Sequence, residues 1–474
     1  MKKLALLLAA AAVAVALAAL VGRGSTPVAL PTVHPQLDDV AALGGTAAAP
    51  PTQERCAAIH RRCFTPDAMA NSYNYAVLHE HGNQGQGTTI AIVDSYGEMN
   101  IEQDLHAFDA AFHLPDPPSF KQLCVQGCPD PKAPPPTSQG TGLEDKSAWG
   151  VEVALDVEWA HATAPLANIL LVTTPTAETL GVQGFQQMMN AEQYVIDNHM
   201  ADVITQSFGA GEGSFNSGLA SLKQLRQAFV SAAANGVSVF ASSGDGGSTN
   251  SMKTPVTNPA DIPYPSVIWP ASDPLVTAVG GTYLCTNPNT GAGVDNGSPP
   301  NQCHRWLGDR EPAWVPSGGG YSIYFSRPSY QDTLPPGSTY AGSSPGAPGP
   351  NSQMRGVPDI AYQASSLTGV LVYDSYDGGW FIVGGTSASS PQWAGIAALA
   401  DQMAGRNLGF LNPALYAIAN DPAKYAADFY DPIHNTNQTT SIPGWPASPG
   451  WDAVTGLGTP NVANLIPDLI AATS

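Results

Sequence analysis

Short runs of β-branched and apolar residues alternate with helix-patterned stretches along most of this 474-residue chain. That alternation restricts the fold more than any other feature. The apolar runs lie at 88–94, 168–174, 202–207, 237–243, 275–279, 370–373 and 380–384. Helical patterns lie at 101–112, 150–161, 185–199, 219–235 and 391–402. Strands read as continuous apolar runs are buried on both faces, so the pattern predicts an α/β fold with a mostly parallel sheet covered by helices on both sides. Gly/Pro/Ser-rich loops interrupt it at 127–142, 285–301 and 333–352. No repeat and no second core is legible, so the expectation is one large domain with insertions.

Composition excludes some partners. Only 12% of residues are charged and the formal net charge is −20. Phosphate-rich surfaces are held by clustered Lys and Arg, so neither nucleic acid nor an anionic membrane surface is expected as a partner. Few basic groups also mean little repulsion once carboxylates protonate below about pH 4, so the composition suits acid. Residues 1–24 read as an export signal: Lys2 and Lys3 precede an apolar run, with small residues at Ala16, Ala18 and Ala19 that suit cleavage. The competing reading is an uncleaved anchor, since the run is close to a membrane span in length. Export predicts a secreted protein, off the membrane after cleavage, and we expect a monomer. Residues 25–64 are rich in Ala, Pro and Thr and are expected to form a poorly ordered linker or pro-like segment. Six cysteines fall as close neighbours, Cys56/Cys63, Cys124/Cys128 and Cys285/Cys303. Disulfides are the expectation, with local loops the simplest of fifteen pairings.

Three segments carry chemistry. The run Gly384-Gly385-Thr386-Ser387-Ala388-Ser389-Ser390-Pro391 places an unhindered hydroxyl where an apolar stretch meets a helix. Backbone N–H groups at such a helix start can hold a developing oxyanion. Pro391 suits the first turn of the helix that follows. Glu152 and Asp156 stand four apart in a helical pattern, so both carboxylates share one face and compete for one proton. Val151, Val153, Leu155, Val157 and Trp159 make that helix apolar, with little room for idle charge. Asp245 lies among glycines at the end of an apolar run, where parallel-sheet proteins place their sites.

Ordered motifs link these segments. They are Thr65-Pro66, Tyr73-Asn74, Gly85-Gln86-Gly87-Thr88-Thr89-Ile90-Ala91-Ile92, Glu152-x3-Asp156-Val157-Glu158, Ser243-Gly244-Asp245-Gly246-Gly247-Ser248, Gly280-Gly281-Thr282, Gly318-Gly319-Gly320-Tyr321-Ser322, Gly385-Thr386-Ser387-Ala388 and Gly450-Trp451-Asp452-x3-Gly456. In this order they resemble the sedolisins, serine-carboxyl peptidases of subtilisin-like fold, over residues 65–474. The resemblance implies an acid-active secreted endopeptidase acting on peptide or protein substrates. It maps the nucleophile to Ser387, the general base to Glu152, the residue orienting that base to Asp156, and the oxyanion-hole carboxyl to Asp245. It also implies one structural calcium ion, held by Asp431 and Asp452 with the carbonyls of Pro432 and Gly450. Some forty residues stand between the signal and the first motif, too few for the long folded propeptide that the family usually carries.

Two other readings compete. Asp94 mimics the aspartate of a Ser-His-Asp subtilase, but His106, His113, His161, His199 and His304 all lack the His-Gly-Thr context that mechanism requires. An inactive, calcium-stabilised binding protein on the same scaffold would not need all four mapped residues. Glu158 and His161 have metal-helix spacing without a partner pair and are read as structural.

Overall fold

The computed structural model describes residues 34–35, 40–127, 142–175, 182–215, 218–249, 262–348 and 353–473. Its centre is a seven-stranded, wholly parallel sheet. In chain order the strands are β1 (Thr89–Ser95), β2 (Phe120–Leu123), β3 (Asn168–Thr174), β4 (Val203–Gln206), β5 (Ser238–Ser242), β6 (Thr277–Thr282) and β7 (Ile360–Gln363). In space they run β7-β6-β5-β4-β1-β3-β2. Strand β1 therefore lies between β3 and β4, in register from Thr89↔Asn168 to Ser95↔Thr174 on one side. The carboxyl ends of β1, β4 and β5 are neighbours.

The longer helices include α1 (Ile101–Phe112), α2 (Gly142–Thr163), α3 (Val182–Asp197), α4 (Gln227–Ala234) and α5 (Thr386–Ala404), of which α2 and α5 carry candidate site residues. Helix α2 carries Val151, Val153, Leu155, Val157 and Trp159, all buried, as its apolar sequence requires. Helix α5 is buried from Thr386 to Asp401 and packs against α2, β4, β5 and β6. A side chain at Gly395 would collide with Thr163, so the absence of one lets α5 and α2 approach closely.

Several expectations change in detail. The runs read at 370–373 and 380–384 do not join the parallel sheet. They form an antiparallel hairpin, β8 (Thr368–Asp374) with β9 (Gly379–Val383), in a separate four-stranded sheet. Edge strand β2 went unread because Lys121 and Gln122 are exposed and interrupt any apolar run. The segment expected to be poorly ordered is part of the fold from Val40 onward. Arg62–Phe64 pairs with β8, and Ala41–Ala42 pairs with β9. Buried Arg62 donates to the carbonyls of Thr286, Ser298, Asp295 and Pro299, which satisfies its guanidinium without a carboxylate. His34–Pro35 pairs with Phe208–Gly211.

Disulfides join Cys56 to Cys63 and Cys285 to Cys303, as the local spacing suggests. Cys128 lies outside the described residues, and so do the signal-like residues 1–24. No helix among the described residues is long and apolar enough to cross a membrane.

Candidate active site

The serine site is made by backbone geometry. Gly385 has φ +98°, and a side chain at Gly384 would collide with the backbone of Ala364 and Ser366. The chain can therefore turn sharply out of β9 and enter α5 at Thr386. Helix α5 begins earlier than the sequence predicts, so Ser387 is its second residue and fully buried. Pro391 consequently lies inside the helix, not in its first turn. Lacking an N–H, it removes the helical donor that would otherwise reach the Ser387 carbonyl. The positive end of the helix falls on Ser387.

Asp245 and α5 are tied together. Asp245 Oδ1 accepts from the Thr386 N–H and the Thr386 hydroxyl, both at 2.8 Å. The Gly244 N–H donates to the same hydroxyl at 3.0 Å. Asp245 thus binds the first residue of the helix that carries Ser387. Thr386, the first residue of α5, is the link, and nothing in the local sequence marks it as a partner of Asp245.

Glu152 and Asp156 face the same site from α2. Both are completely buried, as is Asp94 near the end of β1. None of their six carboxylate oxygens has a hydrogen-bond partner of good geometry. Burial holds the Glu152 carboxyl well above the usual carboxylate range, and the charges of Asp156 and Asp94 push it further. The nearby Ser387 hydroxyl partly offsets this, and Asp245 adds to the rise. Asp156 is raised by burial and by Asp94, and eased by the Ser207 hydroxyl. Burial pushes Asp94 up to about 8. Carboxyls in this relation cannot all ionise, so they hold protons in common.

Among the described residues, the main groups acting on Glu152 and Asp156 are carboxyls and serine hydroxyls. His161, on α2, instead pairs with Asp109 at 3.1 Å and faces the Pro115 carbonyl at 2.9 Å. The structure thus gathers Glu152, Asp156, Asp94, Ser387 and Asp245 at the carboxyl ends of β1, β4 and β5. One carboxyl stands beside a hydroxyl, and another stands at the helix start.

The four residues expected to hold calcium also meet in part. The Gly450 N–H donates to Asp431 Oδ2 at 2.7 Å. Asp452 accepts the N–H groups of Ser448, Val454 and Thr455. Pro432 follows Asp431 in the chain. Burial pushes Asp431 up to about 6 and, with the charge of Asp431, Asp452 up to about 7. Asp431 Oδ1 is buried with no hydrogen-bond partner of good geometry. Fully buried Asp452 and half-buried Asp431, with one buried Asp431 oxygen that has only the Tyr425 hydroxyl near it, are a donor set that fits a hard divalent cation.

Comparison with known proteins agrees with this geometry. A model of the subtilase family matches residues 145–414. Kumamolisin from Bacillus sp. (strain MN-32) is 31% identical over 422 residues, covering 87% of this chain and 64% of the relative. Sedolisin from Pseudomonas sp. (strain 101) is 31% identical over 381 residues, covering 80% and 57%. Tripeptidyl-peptidase 1 of Rattus norvegicus is 27% identical over 434 residues, covering 86% and 64%. The chain therefore spans less than two thirds of the length of these relatives. Among solved structures, Pseudomonas sedolisin, described as a serine-carboxyl proteinase complexed with pseudo-iodotyrostatin, superposes with a TM-score of 0.64 at 26% identity. That alignment covers 86% of this chain and 98% of the other.

Proposed function

This chain belongs to the subtilase family, within its sedolisin group, and on that premise we propose that it is a secreted serine-carboxyl endopeptidase active in acid. The observation that carries the reading is the pairing of a buried helix-start serine, Ser387, with a buried glutamate that shares protons with Asp156 and Asp94. No histidine is needed in such an arrangement.

Ser387 Oγ attacks the peptide carbonyl carbon while its proton passes to Glu152. Asp156 and Asp94 set how readily Glu152 takes and returns that proton. The carbonyl oxygen gathers negative charge at the start of α5, where backbone N–H groups and a protonated Asp245 can donate to it. Collapse breaks the C–N bond, and the leaving amine takes the proton from Glu152. Water then repeats the sequence on the acyl-enzyme, releasing the acid and restoring Ser387. Asp245 donates only while it carries a proton, so rising pH removes the oxyanion donor. Glu152 serves as base whenever the shared protons leave it ionised, so the coupled carboxyls do the work that a histidine does in other serine peptidases.

Asp431 and Asp452, with the carbonyls of Pro432 and Gly450, would hold the calcium ion. Its role there is to cross-link the C-terminal loop, with no part in the bond-breaking steps. Export rests on the N-terminal apolar segment and accords with two disulfides.

The test is hydrolysis of a broad quenched-peptide mixture from pH 2.5 to 8 by wild type, Ser387→Ala and Glu152→Gln. We expect turnover confined to acid and lost in both variants, by roughly 10⁴-fold or more. Activity near pH 8 that survives Glu152→Gln would move the base elsewhere. No turnover at any pH by folded, calcium-loaded protein would favour a binding protein instead.

A further inference from the structure

Away from Ser387, a second set of buried carboxyls converges on helix α2. Glu98 lies in the loop after β1, Asp104 in the first turns of α1, Asp374 at the end of β8 and Asp377 in the turn to β9. Glu98, Asp104 and Asp374 are 6%, 3% and 0% exposed, and one oxygen of each lies within 4.8 Å of the others. Fully buried Asp374 keeps Oδ2 without an N–H or hydroxyl donor, and so does Asp377 at its buried Oδ2; the two carboxyls lie within reach of each other, so that a proton or a cation must stand between them. Both oxygens point toward the same place. An atom built as a side chain on Gly150 would stand 3.3 Å from Asp377 Oδ2, 3.7 Å from Asp374 Oδ2 and 3.9 Å from Glu98 Cγ.

The other oxygens are already anchored. The Asn100 N–H donates to both Glu98 oxygens at 2.8 Å, the Ser375 N–H to Asp104 Oδ2 at 2.8 Å and the Asp377 N–H to Asp374 Oδ1 at 3.0 Å. Backbone amides thus orient the carboxyls while the orphaned oxygens face one another. None of the described arginine and lysine ion pairs reaches them. Asp104 and Asp374 act in turn on another buried carboxyl, Glu158. Orphaned buried carboxylate oxygens require either a proton or a cation.

We propose that Glu98, Asp104, Asp374 and Asp377 form a cation site of their own, built for calcium and separate from the Asp431/Asp452 loop. The donors are all hard oxygens from four segments, with neither Cys nor His among them, which suits calcium over zinc. A bound ion would tie the β8–β9 turn to the loop after β1, the strand that carries Asp94. The inference does not depend on the peptidase reading.

Equilibrium dialysis of the full chain against radioactive calcium, at neutral pH, tests it. Wild type is expected to bind an ion that Asp374→Asn and Asp377→Asn weaken by at least about tenfold, as loss of a coordinating charge should. Asp452→Asn is expected to leave that ion in place. Should Asp374→Asn fail to fold by near-ultraviolet circular dichroism, Glu98→Gln gives the same readout. Calcium binding unchanged in folded Asp374→Asn, Asp377→Asn and Glu98→Gln overturns the site. A single ion lost with Asp374→Asn but kept with Asp452→Asn upholds it and removes the loop reading instead.

Discussion

Helix α2 carries buried carboxyls on two opposite faces, and the two environments differ in what holds them. At 100° per residue, Glu152 and Asp156 point one way while Gly150, Ala154 and Glu158 point roughly the other. On the Glu152 face the neighbours of the carboxyls are the hydroxyls of Ser387 and Ser207, and no backbone N–H is bound. On the opposite face, Glu158, Glu98, Asp104 and Asp374 each accept a backbone N–H. A backbone donor favours the charged form and fixes the oxygen, whereas a hydroxyl can itself give up a proton. The first face is therefore suited to trading protons, the second to holding a position or a cation. Burial raises Glu152 and Glu158 alike, so a raised pKa does not by itself mark the reactive group.

The largest test of this contrast compares Glu152→Gln with Glu158→Gln. Peptide turnover should fall by roughly 10⁴-fold in the first and change by less than about threefold in the second. Equal losses in two folded proteins would break the comparison. A smaller effect is expected at the helix start. Asp245→Ala should lower kcat by roughly 10²–10³-fold with little change in KM, the signature of a lost oxyanion donor. A matching rise in KM would make Asp245 a substrate-binding or purely structural residue.

The smallest effect per group concerns stability. Burial pushes Asp94 up to about 8, and Glu212 and Asp401 up to about 7. These groups stay neutral in the fold at a pH where the unfolded chain ionises them. Their stabilisation is complete below the ordinary carboxylate range near 4 and is lost as pH rises through 7 to 8. Each buried group costs up to about 1.4 kcal/mol per pH unit in that window. Thermal unfolding without calcium should therefore show the highest Tm near pH 4 and a steady fall toward pH 8. A Tm that rises over this range would show that the buried carboxyls are charged in the fold.

Much of this was legible locally. The strand expected at 168–174 and the helix expected at 101–112 have the observed bounds, because β-branched runs and an amphipathic stretch report directly on their own backbone. Glu152 and Asp156 could be paired from a four-residue spacing. The start of α5 could not be read, because Gly384 is required by contacts with Ala364 and Ser366, beyond the end of β7, and Gly385 by its positive φ. The order of 40–64 was hidden for the same reason. Its low-complexity composition says nothing of the strand edges that Ala41–Ala42 and Arg62–Phe64 complete.

The α/β class and the ordered family motifs were legible in the chain alone. Those properties depend on periodicity and short spacings, which need only one segment to be seen. Folding alone brings Asp94 to Glu152 and Asp156, Thr386 to Asp245, and Glu98 to Asp374. Each of these joins side chains brought together by neighbouring strand ends or by packing on α2. The electrostatic coupling depends on distance and burial, which a linear chain does not display until it has folded.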